Sequence, residues 1–193
     1  PDQPAWVYFG LDPRNAVEPL GGVYTSTDRG DTWTIMNKTS GLHVTALAFD
    51  PDNYDHMILG TGSGQVYTST TNGVTWSNPI TVTNTIHRLV FAPTLYDGKR
   101  SLWALTSDQM DYTSDNVYRS RDGAQTWTAV QVVTGTSNYD IAFHDSIPGL
   151  IWAAVGGGYY SEDDGATWHP LGAGLDEAHG FAVVPGAISR QTT

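Results

Sequence analysis

The sequence predicts an all-β chain of four-stranded antiparallel blades arranged as a propeller, and three observations predict it. An eight-residue pattern, Ser-x-Asp-x-Gly-x-Thr-Trp, occurs four times, starting at Ser26, Ser69, Ser120 and Ser161. Its tryptophans, Trp33, Trp76, Trp127 and Trp168, fall 43, 51 and 41 residues apart, and about 40–50 residues is the length of one propeller blade. Each copy follows a short apolar-aromatic run: Val23-Tyr24, Val66-Tyr67, Val117-Tyr118 or Tyr159-Tyr160.

The pattern has a mechanical reading that needs no ligand. A strand ends at the Ser, a turn follows, and the next strand starts at Thr-Trp. An Asp two residues past the Ser, as in Asp28, Asp122 and Asp163, can accept hydrogen bonds from the backbone of the turn. Gly30, Gly73 and Gly165 supply the positive φ that closes the hairpin. Trp33, Trp76, Trp127 and Trp168 then cover it with a large apolar face. Two copies deviate. Thr71 replaces the Asp in the second, where Asn72 is expected to make the turn bond. The Gly stands one place early in the third, at Gly123, with Ala124 behind it. A catalytic or metal-binding Asp would tolerate such drift poorly, so these Asp residues read as structural.

A second register places the other strands. Apolar runs at 46–51, 88–93, 139–144 and 180–185 align with one another and end in turn residues, which reads as the innermost strands. Runs at 6–10, 57–60, 102–105 and 151–154 are second strands. The Val-Tyr elements are third strands, and fourth strands are expected to begin at the Thr-Trp pairs. The repeats are then 1–43, 44–86, 87–138 and 139–179, one propeller domain or segment. The innermost strand of the first blade would be 180–185, so the four blades either close into a ring through that segment or form part of a larger ring. Closure removes the sheet edges at which chains aggregate.

Composition narrows the class. The chain has 193 residues with 21 glycines, 10 prolines and no cysteine, which suits a turn-rich domain with a core and excludes disulfides and thiolate metal sites. No run approaches the ~20 apolar residues of a membrane-spanning helix, so direct membrane insertion is not expected. The first residue is Pro1 rather than Met, which fits a mature product, an excised domain or the ordered part of something longer. Nine Lys plus Arg against twenty Asp plus Glu give a formal charge of −11. That charge repels a phosphate backbone or an anionic bilayer, so nucleic acid is excluded as a partner class.

With these repeats, the chain resembles the Asp-box, or bacterial neuraminidase repeat, propellers of sialidases, xyloglucanases, sortilin-type receptors and photosystem II assembly factors. The resemblance spans the four boxes and nearly the whole chain. It implies a propeller fold, boxes on the rim away from the ligand face, and usually six or more blades. An extracellular, cell-surface or periplasmic location is the expectation that goes with it. These families share the repeat and little chemistry, so activity has to be argued from a site.

Loops at 11–21, 39–43, 107–116 and 172–179 share the face where propellers usually bind ligands, and links at 50–56, 93–100 and 144–149 share the opposite face. The insertion at 107–116 brings Asp108, Asp111 and Tyr112 to the ligand face; that at 11–21 brings Arg14 and Glu18; Asp176, Glu177 and His179 precede the last innermost strand. Long loops on a rigid scaffold are where recognition tends to sit, so these eight residues are the expected binding surface. Glycoside hydrolysis needs two carboxylates about 5–10 Å apart, and a hydrolase reading would draw them from the acids of these insertion loops, with no catalytic residue assigned. The acidic turn 50–55 lacks the Gly and the terminal Glu of a calcium loop, and the six histidines share no i,i+4 ligand spacing. No metal or cofactor is therefore expected. The seven arginines carry no Arg-Ile-Pro signature, against a sialidase. Two classes remain: a non-catalytic module recognising a protein partner or glycan, open to assembly with further blades or other subunits, and a carbohydrate-active hydrolase or a fragment of one.

Overall fold

A computed structural model describes residues 6–11, 21–107, 116–132, 140–154 and 157–172. Its strands are β1 (Val7–Leu11), β2 (Gly22–Ser26), β3 (Thr34–Ile35), β4 (Val44–Asp50), β5 (Asn53–Thr61), β6 (Gln65–Ser69), β7 (Ile80–Thr81), β8 (Thr85–Tyr96), β9 (Lys99–Ser107), β10 (Asn116–Ser120), β11 (Thr128–Val130), β12 (Asp140–Phe143), β13 (Ile151–Ala154), β14 (Gly158–Ser161) and β15 (His169–Pro170). They form sheets β1-β2-β3, β4-β5-β6-β7, β8-β9-β10-β11 and β12-β13-β14-β15, each antiparallel in chain order. These are consecutive propeller blades, the first with three strands among the described residues. The segment 180–185, expected to supply its innermost strand, lies outside them.

The blades stack through three apolar clusters, each at a junction. Val23 and Met36 of the first blade pack with Val44, Met57 and Leu59 of the second. Ala48, Ile58 and Val66 of the second pack with Ile86, Leu102 and Ala124 of the third. Trp103, Leu105 and Val117 of the third pack with Ile141 and Ile151 of the fourth. Burying such side chains contributes about 1.5–3 kcal/mol each, so cohesion comes from blade against blade. Among the described residues, none of these clusters joins the fourth sheet to the first.

Two expectations need correction. Fourth strands do not begin at the box Thr-Trp; they start later and run only two or three residues, as in β3 and β11. The cause is local: the Thr amide is spent inside the box, Thr32 N donating to Asp28 Oδ1 at 2.9 Å, so it is not available to the ladder. The links at 50–56 and 93–100 are hairpin continuations rather than loops. In the second blade Asp50 pairs with Asn53, and in the third Tyr96 pairs with Lys99 around Asp97-Gly98. Both turn residues there have positive φ, 52° and 69°, as a two-residue hairpin turn requires. Pro93, which cannot donate to a ladder, falls in the register shift between Phe91 and Leu95.

The box turns are organised by a serine hydroxyl. Ser161 Oγ accepts from the amides of Asp163 (3.2 Å) and Gly165 (2.8 Å) while donating to Asp163 Oδ1 (2.8 Å). Asp163 in turn accepts from Thr167 N (2.8 Å) and Thr167 Oγ1 (2.6 Å). Ser26 and Ser120 repeat the arrangement with Asp28 and Asp122. In the second box Thr71 Oγ1, not Asn72, takes the Asp position and accepts from Thr75 N at 2.9 Å. All four serines are at least 98% buried.

The next two residues are left-handed in every copy. Arg29, Asn72, Gly123 and Asp164 have φ of 66°, 49°, 71° and 58°, followed by Gly30, Gly73, Ala124 and Gly165 at 97°, 75°, 70° and 79°. The third box has therefore not drifted; its Gly occupies the first left-handed place instead of the second. In later boxes these two residues also touch the preceding blade. Asn72 accepts from Tyr8 Oη at 3.1 Å, Asp164 accepts from Ser101 Oγ at 2.5 Å, and a Cβ on Gly165 would lie 2.3 Å from Trp103.

Gly165→Ala combines a left-handed non-Gly residue with overpacking against a ring in the core, so it should lower unfolding free energy by about 2–3 kcal/mol. Gly30→Ala, whose Cβ would meet only Trp33 of its own box at 3.5 Å, should cost clearly less. Chemical denaturation of both variants checks the difference.

The boxes also set acid stability. The Thr32 hydroxyl, then the Thr32 amide and Ser26, hold the Asp28 carboxyl down at about 2 from an ordinary 3.8. For Asp122 and Asp163 partial burial pushes upward, but the Thr126 and Thr167 hydroxyls and amides outweigh it and the net shift is down. Carboxyls depressed in the fold stabilise it above their unfolded value, and this is lost as pH falls through the folded one. Denaturation midpoints should fall between about pH 4 and pH 2, and Asp122→Asn with Asp163→Asn should flatten that slope.

Candidate functional site

The eight residues expected to form the binding surface, Arg14, Glu18, Asp108, Asp111, Tyr112, Asp176, Glu177 and His179, lie outside the described residues. Within the described residues, the junction of the first two blades carries an aromatic cleft of about 360 Å³, lined by Trp6, Tyr8, Phe49, Tyr54 and Asn72. Strand alternation puts Trp6 and Tyr8 on one face of the chain, where their rings stack at 6.2 Å with 18° between planes. Phe49, near the end of β4, meets Tyr8 at 4.8 Å. Tyr54 comes from the start of β5 and Asn72 from the second box, so the cleft opens at the box end of the blades.

Its polarity is limited and directional. Tyr8 Oη donates to Asn72 Oδ1, which leaves the Asn72 NH₂ group as the donor side of the amide. Burial pushes the Tyr8 phenol above its usual range, opposed by the bonds with Asn72 and Thr25, so it remains a neutral donor. Trp6 is 53% exposed and Tyr54 72% exposed. Two large flat faces open to solvent beside an amide and a phenol can stack on an apolar face while hydrogen-bonding its rim. Sequence reasoning places Trp6 and Tyr8 on a strand and Tyr54 in a turn, and does not join them. The i,i+2 aromatic pair is a usable signal; its meeting with Tyr54 and Asn72 needs the blade junction.

A second hollow of about 600 Å³ lies between the second and third blades, lined by Asn53, His56, Thr68, Thr75, Trp76 and Gln125 among others. Its polar groups are neutral hydroxyls and amides with one imidazole. Neither hollow is lined by a carboxylate.

The strongest charge cluster is internal. Asp164 is 1% exposed and accepts from Ser101, with Arg119 Nη1 and Arg121 Nε each 3.5 Å from its Oδ2. Burial pushes its carboxyl upward; the Ser101 hydroxyl and then the two guanidiniums pull the other way. The group is sealed between the third and fourth blades, so it serves packing rather than an exposed reaction. Other arginines are also committed to junctions: Arg88 pairs with Asp140, and Arg100 pairs with Asp52 and lies 3.6 Å from Asp50. The acidic turn 50–55 thus holds a guanidinium, with His56 Nδ1 3.2 Å from Asp50 Oδ2. Among the described residues no group of three or more His, Cys, Asp or Glu gathers at metal-ligand geometry, and no helix is long and apolar enough to cross a membrane.

Comparison with known proteins agrees with this architecture. Xyloglucanase Xgh74A of Acetivibrio thermocellus is 30% identical over 161 residues, covering 67% of this chain and 19% of that protein. The chain thus spans about a fifth of the length of the curated relatives it matches. Among solved structures, the GH74 enzyme of Niastella koreensis superposes with a TM-score of 0.67 at 21% identity, over 87% of this chain and 28% of that one. The structure of YCF48 bound to D1 peptide superposes with a TM-score of 0.54 at 19% identity, over 78% of this chain and 47% of that one. The family model Sortilin-Vps10, described as sortilin, neurotensin receptor 3, matches residues 21–134. With that match over more than half its length and an Asp-box in each of its blades, the chain belongs to the Sortilin-Vps10 family of Asp-box propellers.

Proposed function

We propose that this chain is a glycan-binding segment of an Asp-box propeller, acting outside the cytoplasm, with the cleft at Trp6, Tyr8, Tyr54 and Asn72 as one of its contact surfaces. The observation that carries this reading is the stacked Trp6–Tyr8 pair facing an open cleft with Asn72 at its rim. A pyranose ring has one C–H face and an equatorial rim of hydroxyls. Flat aromatic faces take the first, and an amide or phenol takes the second. The likeness to a xyloglucanase supports a β-glucan-type polysaccharide as the class to test first. The insertion loops at 11–21 and 107–116 would then form a second contact surface on the other face, through Asp108, Asp111 and Tyr112.

The rival reading is a carbohydrate-active hydrolase or part of one, favoured by the xyloglucanase and GH74 likenesses. It requires two carboxylates facing each other, and the acids of the insertion loops are where they would be sought.

Affinity electrophoresis of the purified chain through gels containing xyloglucan, other β-glucans or sialosides tests the proposal. Retardation by at least one polysaccharide is expected, and Trp6→Ala should weaken it about tenfold or more. The thermal midpoint should change little, because Trp6 is half exposed. Retardation unchanged by Trp6→Ala, Tyr54→Ala and the triple alanine variant at 108, 111 and 112 would sink the site assignment. Sustained release of reducing sugar from any substrate would establish the hydrolase reading instead.

A further inference from the structure

The first left-handed place of the box decides what each seam between blades holds, and in the third box it carries no side chain. At the seam of the first two blades Asn72 fills that place and accepts from Tyr8; at the seam of the last two Asp164 fills it and accepts from Ser101. At the middle seam the residue is Gly123, at φ 71°. The hollow of about 600 Å³ opens there, with Gly123 and His56 in its lining. A Cβ on Gly123 would lie 3.2 Å from His56 Cε1 and 3.6 Å from Nε2, so its absence leaves that edge of the imidazole uncovered.

That edge has a fixed chemistry. Asp50 Oδ2 lies 3.2 Å from His56 Nδ1, and a carboxylate only accepts, so in the uncharged ring Nδ1 carries the proton and Nε2 is the acceptor. Arg100, 3.6 Å from Asp50 Oδ1, and the ring of Phe91 against the imidazole hold the pair in place. Around the hollow stand the amides of Asn53, Asn78 and Gln125 and the Thr70 hydroxyl, with no carboxylate, lysine or arginine in the lining. A hydroxyl can donate to Nε2 while its neighbours bond amides that both donate and accept. This suits a neutral polyol and offers little to select an ion. The hollow also borders the aromatic cleft. The second box lines the cleft with Asn72 and the hollow with Thr75; the β4–β5 hairpin lines the cleft with Tyr54 and the hollow with Asn53 and His56. The two therefore lie side by side at the box end, parted by the hairpin tip.

We infer that one glycan chain crosses this tip, with a sugar stacked in the Trp6–Tyr8 cleft and another in the hollow, where a hydroxyl donates to His56 Nε2. The inference rests on the glycan-binding reading above and adds a second subsite to it. Linked contacts raise each other's effective concentration. A chain long enough to reach both therefore binds more tightly than a fragment that fills the cleft alone.

Isothermal titration calorimetry with xyloglucan fragments graded by length tests it. Wild-type affinity should rise about tenfold or more once a fragment is long enough to cross the tip. Gly123→Asn gives the third box the residue that the second already carries left-handed, at φ 49°. By filling the hollow it should remove that gain and leave short fragments bound as before. Gln125→Ala alters an exposed side chain on the hollow's wall. It should lower long-fragment affinity severalfold, and it keeps the test open if Gly123→Asn fails to fold. The His56 Hε1 resonance should move with long fragments only. Long-fragment binding unchanged in both variants, while Trp6→Ala still weakens it, would overturn the inference and leave the cleft standing. Equal losses for short and long fragments would overturn it too, since the substitutions would then act on the cleft through the shared hairpin. A wild-type chain that binds no xyloglucan fragment also overturns it; the glycan reading falls with it only if no polysaccharide retards the chain in the gels.

Discussion

The bond on which this architecture depends is the buried serine hydroxyl that opens each box. It accepts from two backbone amides and donates to the residue two places on, at 2.7 Å from Ser26 to Asp28 Oδ1 and 2.8 Å from Ser161 to Asp163 Oδ1. Those amides face inward, and an unpaired buried amide costs about 1–3 kcal/mol, so the hydroxyl decides whether the turn can be buried. Once it is satisfied, the next two residues are held left-handed, a conformation that L side chains adopt at a cost. The turn becomes a rigid knob whose direction does not depend on the side chains it carries. That is why Thr71 can replace an Asp, and why a Gly can stand at either of the two left-handed places.

The knob explains how blades of two- to twelve-residue strands cohere. Each sheet buries one face poorly by itself, and nearest-neighbour stacking supplies the remainder, as in other repeat proteins. The box is placed at the seam, where its glycine lets a core side chain of the preceding blade approach the backbone. Met36 fills the space against Gly73, and Trp103 fills it against Gly165. Arginines brace the seams: Arg88 to Asp140, Arg100 to Asp52, Arg119 and Arg121 to Asp164. Few cations are present in this acidic chain, and these four are spent where blades meet.

The sequence is legible where structure repeats and obscure where blades meet. The spacing of the four tryptophans and the Val-Tyr runs locates the second and third strands, because a strand's period and a turn's chemistry are local. The short outer strands are misplaced because the Thr amide is consumed by a side chain of its own box, a competition that strand propensity does not register. Pro93 and the 50–56 link read as loop ends, yet both hairpins run on, since a register shift absorbs the proline. The aromatic cleft is invisible for another reason. Trp6 and Tyr8 are some forty residues or more from Phe49, Tyr54 and Asn72 in sequence and meet them only when the first blade docks on the second. The eight loop residues favoured from sequence are outside the described residues, so that surface rests on sequence reasoning.

One variable position reconciles a uniform repeat with a fixed blade order. The first left-handed residue of the box is Arg29, Asn72, Gly123 and Asp164 in turn, and each of the last three suits its own neighbour. Asn72 accepts from the Tyr8 hydroxyl. Gly123 leaves His56 room, since a Cβ there would lie 3.2 Å from the ring. Asp164 fits only where Ser101, Arg119 and Arg121 await it. Exchange two of these boxes and a buried carboxylate faces Tyr8 and Thr25, or a cationic seam faces a glycine; an uncompensated buried charge of that kind costs about 3–5 kcal/mol. Blades of nearly identical backbone could otherwise pair in several orders, a hazard of repeat chains during folding. The box backbone makes each junction possible, and the side chain at this position makes it specific.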